Sequence, residues 1–220
     1  METRGYFVTG TDTEIGKTTV SALLIRALAR RGLRVAGMKP VASGAVETPE
    51  GLRNDDVLAL THSANLDCAY DDVNPYAFAP PIAPHLAAAE AGIAIEPARI
   101  EAAYRRLCSA ADCVVVEGVG GWRVPLAPGF GVADLAKLVH LPVILVVGLR
   151  LGCLNHAQLT AEAIAHDGLN CVGWVANELP AGMDRQEDNV ATLQSLLPMP
   201  LIARVPVLAN VDEGQVEFLV

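Results

Sequence analysis

The sequence predicts an α/β domain with a mostly parallel sheet flanked by helices, and three observations carry that prediction. Runs such as Cys113–Glu117 (CVVVE) and Pro142–Val147 (PVILVV) are apolar throughout rather than alternating, as strands buried on both faces are. Segments of helical period lie between them, and strand–helix alternation winds into a parallel sheet. The polar residues that stand out, Thr9, Lys39, Glu117, Gly148 to Asn155 and Asn177, fall at the C-terminal ends of the predicted strands, where ligands collect in such sheets.

The elements follow in order. Gly5–Gly10 reads as a strand. Gly16–Arg31 has apolar residues at helical spacing, with Gly32 placed to end the helix. Arg34–Pro40 (RVAGMKP) reads as a second short strand. Asn54–Ser63 and Pro97–Ala110 read as helices on either side of the least regular stretch, Asp67–Pro84, which is rich in Pro and Asp and is expected to be a long surface connection or lid. Cys113–Glu117 is a buried strand ending in an acid. Pro142–Val147 is another, followed by a helix from about Asn155 to His166. Asn170–Asn177, Arg185–Leu197 and Leu201–Val205 complete the pattern as strand, helix and strand. No internal repeat and no low-complexity tract interrupts it.

The 220 residues suit a single domain spanning 1–220. Folding at this length buries roughly 70% of the extended chain's surface, so no disulfide is required. A net charge of −9 argues against a general nucleic-acid binder, which needs a basic footprint, but leaves room for a local anion site. The start METRGYF runs straight into a strand, so no signal peptide is expected. The longest apolar run, Leu141–Leu149, is broken by Arg150 and is too short to span a bilayer. Five cysteines (Cys68, Cys108, Cys113, Cys153, Cys171) form no CxxC pair and read as reduced thiols of a cytoplasmic protein, most of them small core residues.

The chemistry begins with Val8–Thr19, VTGTDTEIGKTT. Gly16-Lys17-Thr18 sits after a strand and before a helix, where backbone N–H groups attract phosphate oxygens, a Lys reaches the terminal phosphates and a Thr hydroxyl serves magnesium. The usual spacing places the first Gly at position 11; here it is Gly10, so the loop is a lengthened variant. This makes the predicted fold a P-loop NTPase-like one. The same loop carries Asp12 and Glu14, two acids where polyphosphate charge is expected. A chance glycine turn is the alternative, and the strand–loop–helix context speaks against it.

Lys39-Pro-Val-Ala-Ser43-Gly ends the second strand. A second Lys in the crevice adds about 4 kcal/mol of raw attraction to a phosphate at ~4 Å and an effective dielectric of ~20, less its desolvation; a solvated surface Lys is the other reading. In VVVEGVGGW, Glu117 ends a buried strand where an acid holds magnesium in related NTPases, and the glycines after it let the backbone approach a ligand. A glycine-rich bend without a ligand is the alternative. Asp55 and Asp56 open a helix, where favourable dipole interactions alone account for acids. His85 and His156 lack metal-ligand spacing and read as structural.

Taken together, GTDTEIGKT, KPVASG, TPEGLRNDD, VNPYAF, VEGVGGW, LGCLNHA and GWVAN resemble the dethiobiotin synthetase family. They occur in order from Tyr6 to Asn177. The resemblance implies an ATP-dependent, magnesium-requiring homodimeric ligase that joins CO2 to 7,8-diaminopelargonate and closes a cyclic urea. A carbamate attacks the γ-phosphate of ATP, and the second amine attacks the resulting carbamic–phosphoric anhydride.

On this sequence the resemblance implies an ATP site formed by Glu14, Ile15, Gly16, Lys17, Thr18 and Thr19, with Asp56 and the Glu117, Gly118, Val119, Gly120 turn. Thr18, Asp56 and Glu117 become the magnesium ligands. Thr13, Lys17 and Lys39 become the catalytic set. Asn177 and Glu178 face the adenine edge, and Pro206, Val207 and Leu208 border the base. Ser43 contacts the substrate, while Leu151, Gly152, Cys153 and Asn155 reach across the dimer to the carboxylate tail of the partner's substrate. A diamine beside the γ-phosphate gives the loop acids a reason: Glu14 faces an amine or the metal, and Asp12 turns outward or caps the loop.

Other readings lead to different classes. ATPase switches of the partition or septum-positioning type carry an additional Lys at the loop start, where this chain has Asp12. An amidotransferase synthetase needs a fused glutaminase domain, for which 220 residues leave no room. A nucleotide-binding scaffold without activity is the third.

Overall fold

A computed structural model describes residues 5–209 and 215–220. The chain opens with β1 (Gly5–Gly10), α1 (Lys17–Arg30), β2 (Val35–Met38), β3 (Val41–Ser43) and the hairpin β4 (Val46–Thr48) and β5 (Gly51–Arg53). It continues through α2 (Asp55–Ser63), α3 (Tyr70–Val73), β6 (Tyr76–Phe78), α4 (Pro84–Glu90), α5 (Pro97–Ala110), β7 (Cys113–Glu117), β8 (Pro125–Ala127), β9 (Phe130–Gly131) and α6 (Val132–Val139). β10 (Val143–Leu149), α7 (Cys153–His166), β11 (Cys171–Glu178), α8 (Gln186–Leu196) and β12 (Leu201–Val205) follow.

Six strands form the central sheet in the order β12-β11-β10-β1-β7-β2, every neighbouring pair parallel. Their side chains point alternately to two cores, as period-two geometry requires. Val8, Val115, Ile144 and Val175 meet α1 and Leu60 of α2 on one face. Phe7, Val116, Leu145 and Ala176 meet α5 to α8 on the other, through Ile100, Leu135, Ile164 and Leu193. From β1 the chain crosses to β2 over β7, whereas β10, β11 and β12 extend the sheet the other way. The crevice at such a reversal opens beyond the C-terminal ends of β1 and its neighbours.

Close packing of β1 on β7 leaves no room for a side chain at Gly5. Its φ is +151°, and a Cβ there would lie 1.8 Å from the Val114 carbonyl oxygen. Gly5→Ala is expected to lower stability by about 2–4 kcal/mol, because a backbone oxygen must move and the φ is strained; a urea denaturation midpoint matching the parent's would contradict this.

The predicted strands all enter the sheet, with boundaries moved by one or two residues. The helix expected from Asn155 starts earlier, at Cys153, because Gly152 at φ +96° turns the chain into it. Asp67–Pro84 is not the irregular connection expected. It contains α3 and β6, β6 pairs in parallel with β3, and Val73, Tyr76 and Phe78 are buried. Elements of three or four residues are too short to show a period. The eight-residue α6 was also not apparent in the sequence; Asp134 accepts from the Gly131 N–H (2.9 Å) at its start.

Part of the C-terminal VDEGQVEFLV lies outside the described residues. Phe218, beyond it, is buried in the α1-side core, and Arg31 donates to the carbonyls of Phe218 (2.5 Å) and Val220 (2.7 Å). All five cysteines are free thiols; Cys113 and Cys153 are buried and the other three are half-buried. Among the described residues no helix is long and apolar enough to cross a membrane.

Candidate functional site

A cleft of about 720 Å³ opens beyond the C-terminal ends of β1, β2 and β7. Its floor is a buried group of charges. Lys39, just past β2, is 4% exposed, and Glu117, ending β7, is 1% exposed. The Lys39 ammonium donates to Glu117 Oε1 at 2.7 Å and to Asp56 Oδ2 at 2.5 Å. Thr18, in the first turn of α1, donates its hydroxyl to Glu117 Oε1 at 2.9 Å. Lys39 is therefore not a solvated surface lysine, and the acid that joins it is Asp56; Asp55 is exposed at the helix start.

Burial works against the charge on Lys39, but Glu117 and Asp56 outweigh it and hold its pKa above that of an ordinary lysine. Burial likewise pushes Asp56 upward, yet the Lys39 ammonium and a hydrogen bond from Thr18 bring it below the usual carboxylate range. Lys17 is different: burial pushes its pKa down to about 8, despite the attraction of Glu117, Asp56 and Asp12. Its ammonium donates to the Asp12 carbonyl at 2.7 Å. A polyphosphate entering the loop would add counter-charge beside this desolvated ammonium.

The phosphate loop is set by local geometry. Gly16 takes the left-handed conformation (φ +84°) at the N-cap of α1, and Glu14 is also left-handed at φ +57°. Asn177, at the end of β11, donates its amide N–H to the Ile15 carbonyl (2.9 Å), which leaves its Oδ1 as an acceptor. Ile15 itself is buried against Gly148 and supplies only backbone to the loop. The two loop acids part ways. Asp12 accepts from the Thr13 N–H (2.8 Å) and pairs with Arg150, so its charge is turned aside from the phosphate path. Glu14 is exposed and lines the cleft with Thr13 and Thr19.

Ser43 also lines the cleft, its hydroxyl buried without a protein partner. Val119 and Gly120 border the cleft, whereas Gly118 packs against Phe7 and Val132. Glu178 leans toward Arg204 at 3.6 Å, and Arg204 is held chiefly by Glu187. Pro206 and Val207 are exposed and Leu208 half-buried beyond β12, outside the cleft lining. Leu151 (95% exposed), Gly152 and Asn155 face outward at the start of α7, and Cys153 is buried; none of these four lines the cleft of its own chain.

The donor set fits magnesium. Thr18, Asp56 and Glu117 offer hard oxygens, and Glu117 Oε2 is buried with no hydrogen-bond partner. Among the described residues no group of three or more His, Cys, Asp or Glu could hold a metal. Magnesium is commonly held by one or two carboxylates together with phosphate oxygens.

Several supporting residues escaped the sequence reading. Arg150 carries no local signal, since its partner lies 138 positions away. Asn74 donates to the Lys39 carbonyl (2.6 Å) and the Tyr76 carbonyl (3.1 Å), fixing the backbone that presents Lys39. Asn54 precedes two acids at a helix start, an N-cap signature that was legible.

A family model described as an AAA domain matches residues 4–215. The chain is 57% identical to the "ATP-dependent dethiobiotin synthetase BioD" of Pseudomonas aeruginosa (strain UCBPP-PA14), over 96% of this chain and 93% of the relative. It is 52% identical to the protein of that name from Xanthomonas oryzae pv. oryzae (strain PXO99A), over 94% and 92%. Among solved structures, the septum site-determining protein MinD of Pyrococcus horikoshii OT3, complexed with Mg-ADP, superposes with a TM-score of 0.57 at 16% identity, covering 92% of this chain and 81% of that one. A ParA family ATPase from Chlorobium tepidum TLS gives 0.56 at 12% identity, covering 96% and 90%. These two share the P-loop NTPase-like fold with this chain.

Proposed function

Since this chain belongs to the ATP-dependent dethiobiotin synthetase family, we propose that its cleft holds ATP and 7,8-diaminopelargonate side by side across the Lys39 charge cluster. The protein is a cyclo-ligase of biotin biosynthesis, using ATP to form dethiobiotin. The observation that carries the site assignment is the buried Lys39 ammonium in a cleft lined both by the phosphate loop and by Ser43, whose hydroxyl has no protein partner. We read residues 1–220 as one ligase domain.

The chemistry asks the protein for position and charge. One amine of the diamine takes up CO2 and loses a proton, giving a carbamate. The carbamate oxygen attacks the γ-phosphorus and ADP leaves; the second amine then attacks the carbamoyl carbon, closing the ring and releasing phosphate. Lys39 and Lys17 face charge that grows on the transferring group, and such stabilisation is worth most in a dry site. Ser43 orients the amine or carbamate, and Thr13 and Glu14 border the same space from the phosphate loop. Holding both amines near one carbon replaces a bimolecular ring closure by an intramolecular one. Thr18, Asp56 and Glu117 would hold magnesium, which would supply positive charge to the phosphate groups during transfer.

Asn177 Oδ1 suits the 6-amino group of adenine, with Glu178 and Pro206 to Leu208 around the base. The start of α7 is assigned to the partner subunit's substrate carboxylate, because the positive end of a helix suits an anion and Leu151 and Leu159 are exposed apolar side chains nearby. Dilution into monomers is therefore expected to weaken diamine binding by at least about tenfold; a monomer on gel filtration with full activity would refute the shared site. A cytoplasmic location, with small molecules and neither nucleic acid nor membrane as partners, accords with the free thiols and the net charge of −9. Incubation with 13C-bicarbonate, ATP, magnesium and the diamine tests the reaction: label is expected in the urea carbonyl of dethiobiotin, and unlabelled or absent product rejects it.

A further inference from the structure

Asn54 is buried (6% exposed), and each of its polar groups is engaged within the protein. Its backbone N–H donates to the Tyr70 hydroxyl (3.0 Å), and its carbonyl accepts from the Leu58 N–H (3.0 Å). Its side-chain oxygen accepts from the N–H groups of Asp56 (3.1 Å) and Val57 (3.4 Å), capping α2. Its side-chain NH2 donates to the Ser43 carbonyl (3.1 Å), eleven positions away across the β4–β5 hairpin. The first of these side-chain contacts fixes the turn that presents Asp56 to Lys39. The second fixes the end of β3, where the unpartnered Ser43 hydroxyl meets the cleft. Tyr70 is itself covered by the Arg53 guanidinium, 4.1 Å from its ring centre, so the anchor beneath Asn54 is braced.

A helix cap needs only an acceptor, and Ser or Asp serves as well as Asn. The donor half of the Asn54 amide is therefore surplus to capping, and it is spent on the substrate-side strand. We propose that Asn54 is a positioning residue for the ligase reaction: one planar amide sets the spacing between the Ser43 wall, where the diamine sits, and Asp56, on the phosphoryl and metal side. It touches neither ligand, since it is buried and lies behind the residues that line the cleft. The inference rests on the functional reading given above and deepens it. Near-attack geometry is sensitive to displacements of an ångström or less, so a strap of this kind acts on how the two ligands meet.

The two halves of the amide can be separated. Asn54→Ser keeps a capping oxygen but cannot reach the Ser43 carbonyl; Asn54→Ala loses both contacts. Calorimetry with magnesium·ADP and, separately, with the diamine gives a readout independent of turnover. For Asn54→Ser, magnesium·ADP affinity is expected within about threefold of the parent and diamine affinity about tenfold weaker. For Asn54→Ala both are expected to weaken by about tenfold. In steady state Asn54→Ser raises KM for the diamine and leaves KM for ATP in place. Equal losses for both ligands in Asn54→Ser, or no loss for either, would overturn the proposal and leave Asn54 a cap alone. If the parent protein itself bound no diamine, the functional reading would be what failed. The magnesium·ADP comparison of Ser with Ala would then still decide the Asp56 half: a loss confined to Ala upholds it, and no loss in either overturns it.

Discussion

Lys39→Ala is expected to lower kcat by about two to three orders of magnitude while changing magnesium·ADP affinity by no more than a few fold. The magnitude follows from what removal of one preorganised donor costs in sites that stabilise developing charge. The split follows from where the charge grows: the ammonium acts most strongly on the transferring phosphoryl group, so its loss falls on the transition state rather than on the bound nucleotide. Lys39 is buried at 2.7 Å from Glu117 and 2.5 Å from Asp56, so it is already desolvated and placed before any ligand arrives. The same burial gives the variant a second signature. Without the ammonium, Glu117 and Asp56 lose the cation that hydrogen-bonds to both, and breaking a buried pair costs about 3–5 kcal/mol. The melting temperature of Lys39→Ala should therefore fall in magnesium-free buffer and recover in part when magnesium·ADP is added. Parental turnover in the variant would reject the catalytic role. A collapse of ADP affinity equal to the loss of kcat would show that Lys39 serves ground-state binding instead.

Gly16→Ala is expected to weaken nucleotide binding by about a hundredfold or more. Gly16 is left-handed at φ +84°, and an added Cβ would lie 2.2 Å from the Asn177 amide nitrogen. That amide holds the Ile15 carbonyl, so the methyl group displaces the contact that shapes the loop as well as straining the backbone. A left-handed non-glycine residue together with a forced shift amounts to about 3 kcal/mol, or about two orders of magnitude in affinity. The effect should be local, because the collision lies at the end of the sheet and not within either core. Calorimetry with magnesium·ADP, alongside a urea melt, separates the two. Parental affinity in Gly16→Ala would show that the loop tolerates the side chain and that Asn177 does not define it.

The parts of this molecule that were legible in the sequence are those whose physics is local. All-apolar strands mark a doubly covered sheet, and the strand-end rule places Lys39, Glu117 and Asn177 around one crevice without any knowledge of their contacts. The choice between Asp55 and Asp56 was not open to local reasoning, since both favour a helix start; the N-cap at Asn54 turns one toward Lys39 and the other to solvent. The acids of the phosphate loop divide in the same way. Asp12 is answered by Arg150 from just past the end of β10, a pairing no spacing in the chain predicts. The small strands β3 and β6 were missed because three residues cannot express a period, although Asn74 between β3 and β6 turns out to hold the Lys39 backbone. Long-range hydrogen bonds of this kind join elements that the sequence leaves independent.

These contacts make the cleft a junction between two ligands. On the proposed reading, phosphate is held from the α1 side and a diamine from the Ser43 side, with the Lys39 cluster shared by both. An ATPase that used the same fold only as a switch would release phosphate without regard to any amine. The decisive measurement is phosphate release from ATP in the presence of magnesium and bicarbonate, with and without 7,8-diaminopelargonate. Release that requires the diamine and matches dethiobiotin one for one is the expected result; release at the same rate without the diamine would contradict the ligase assignment of this site.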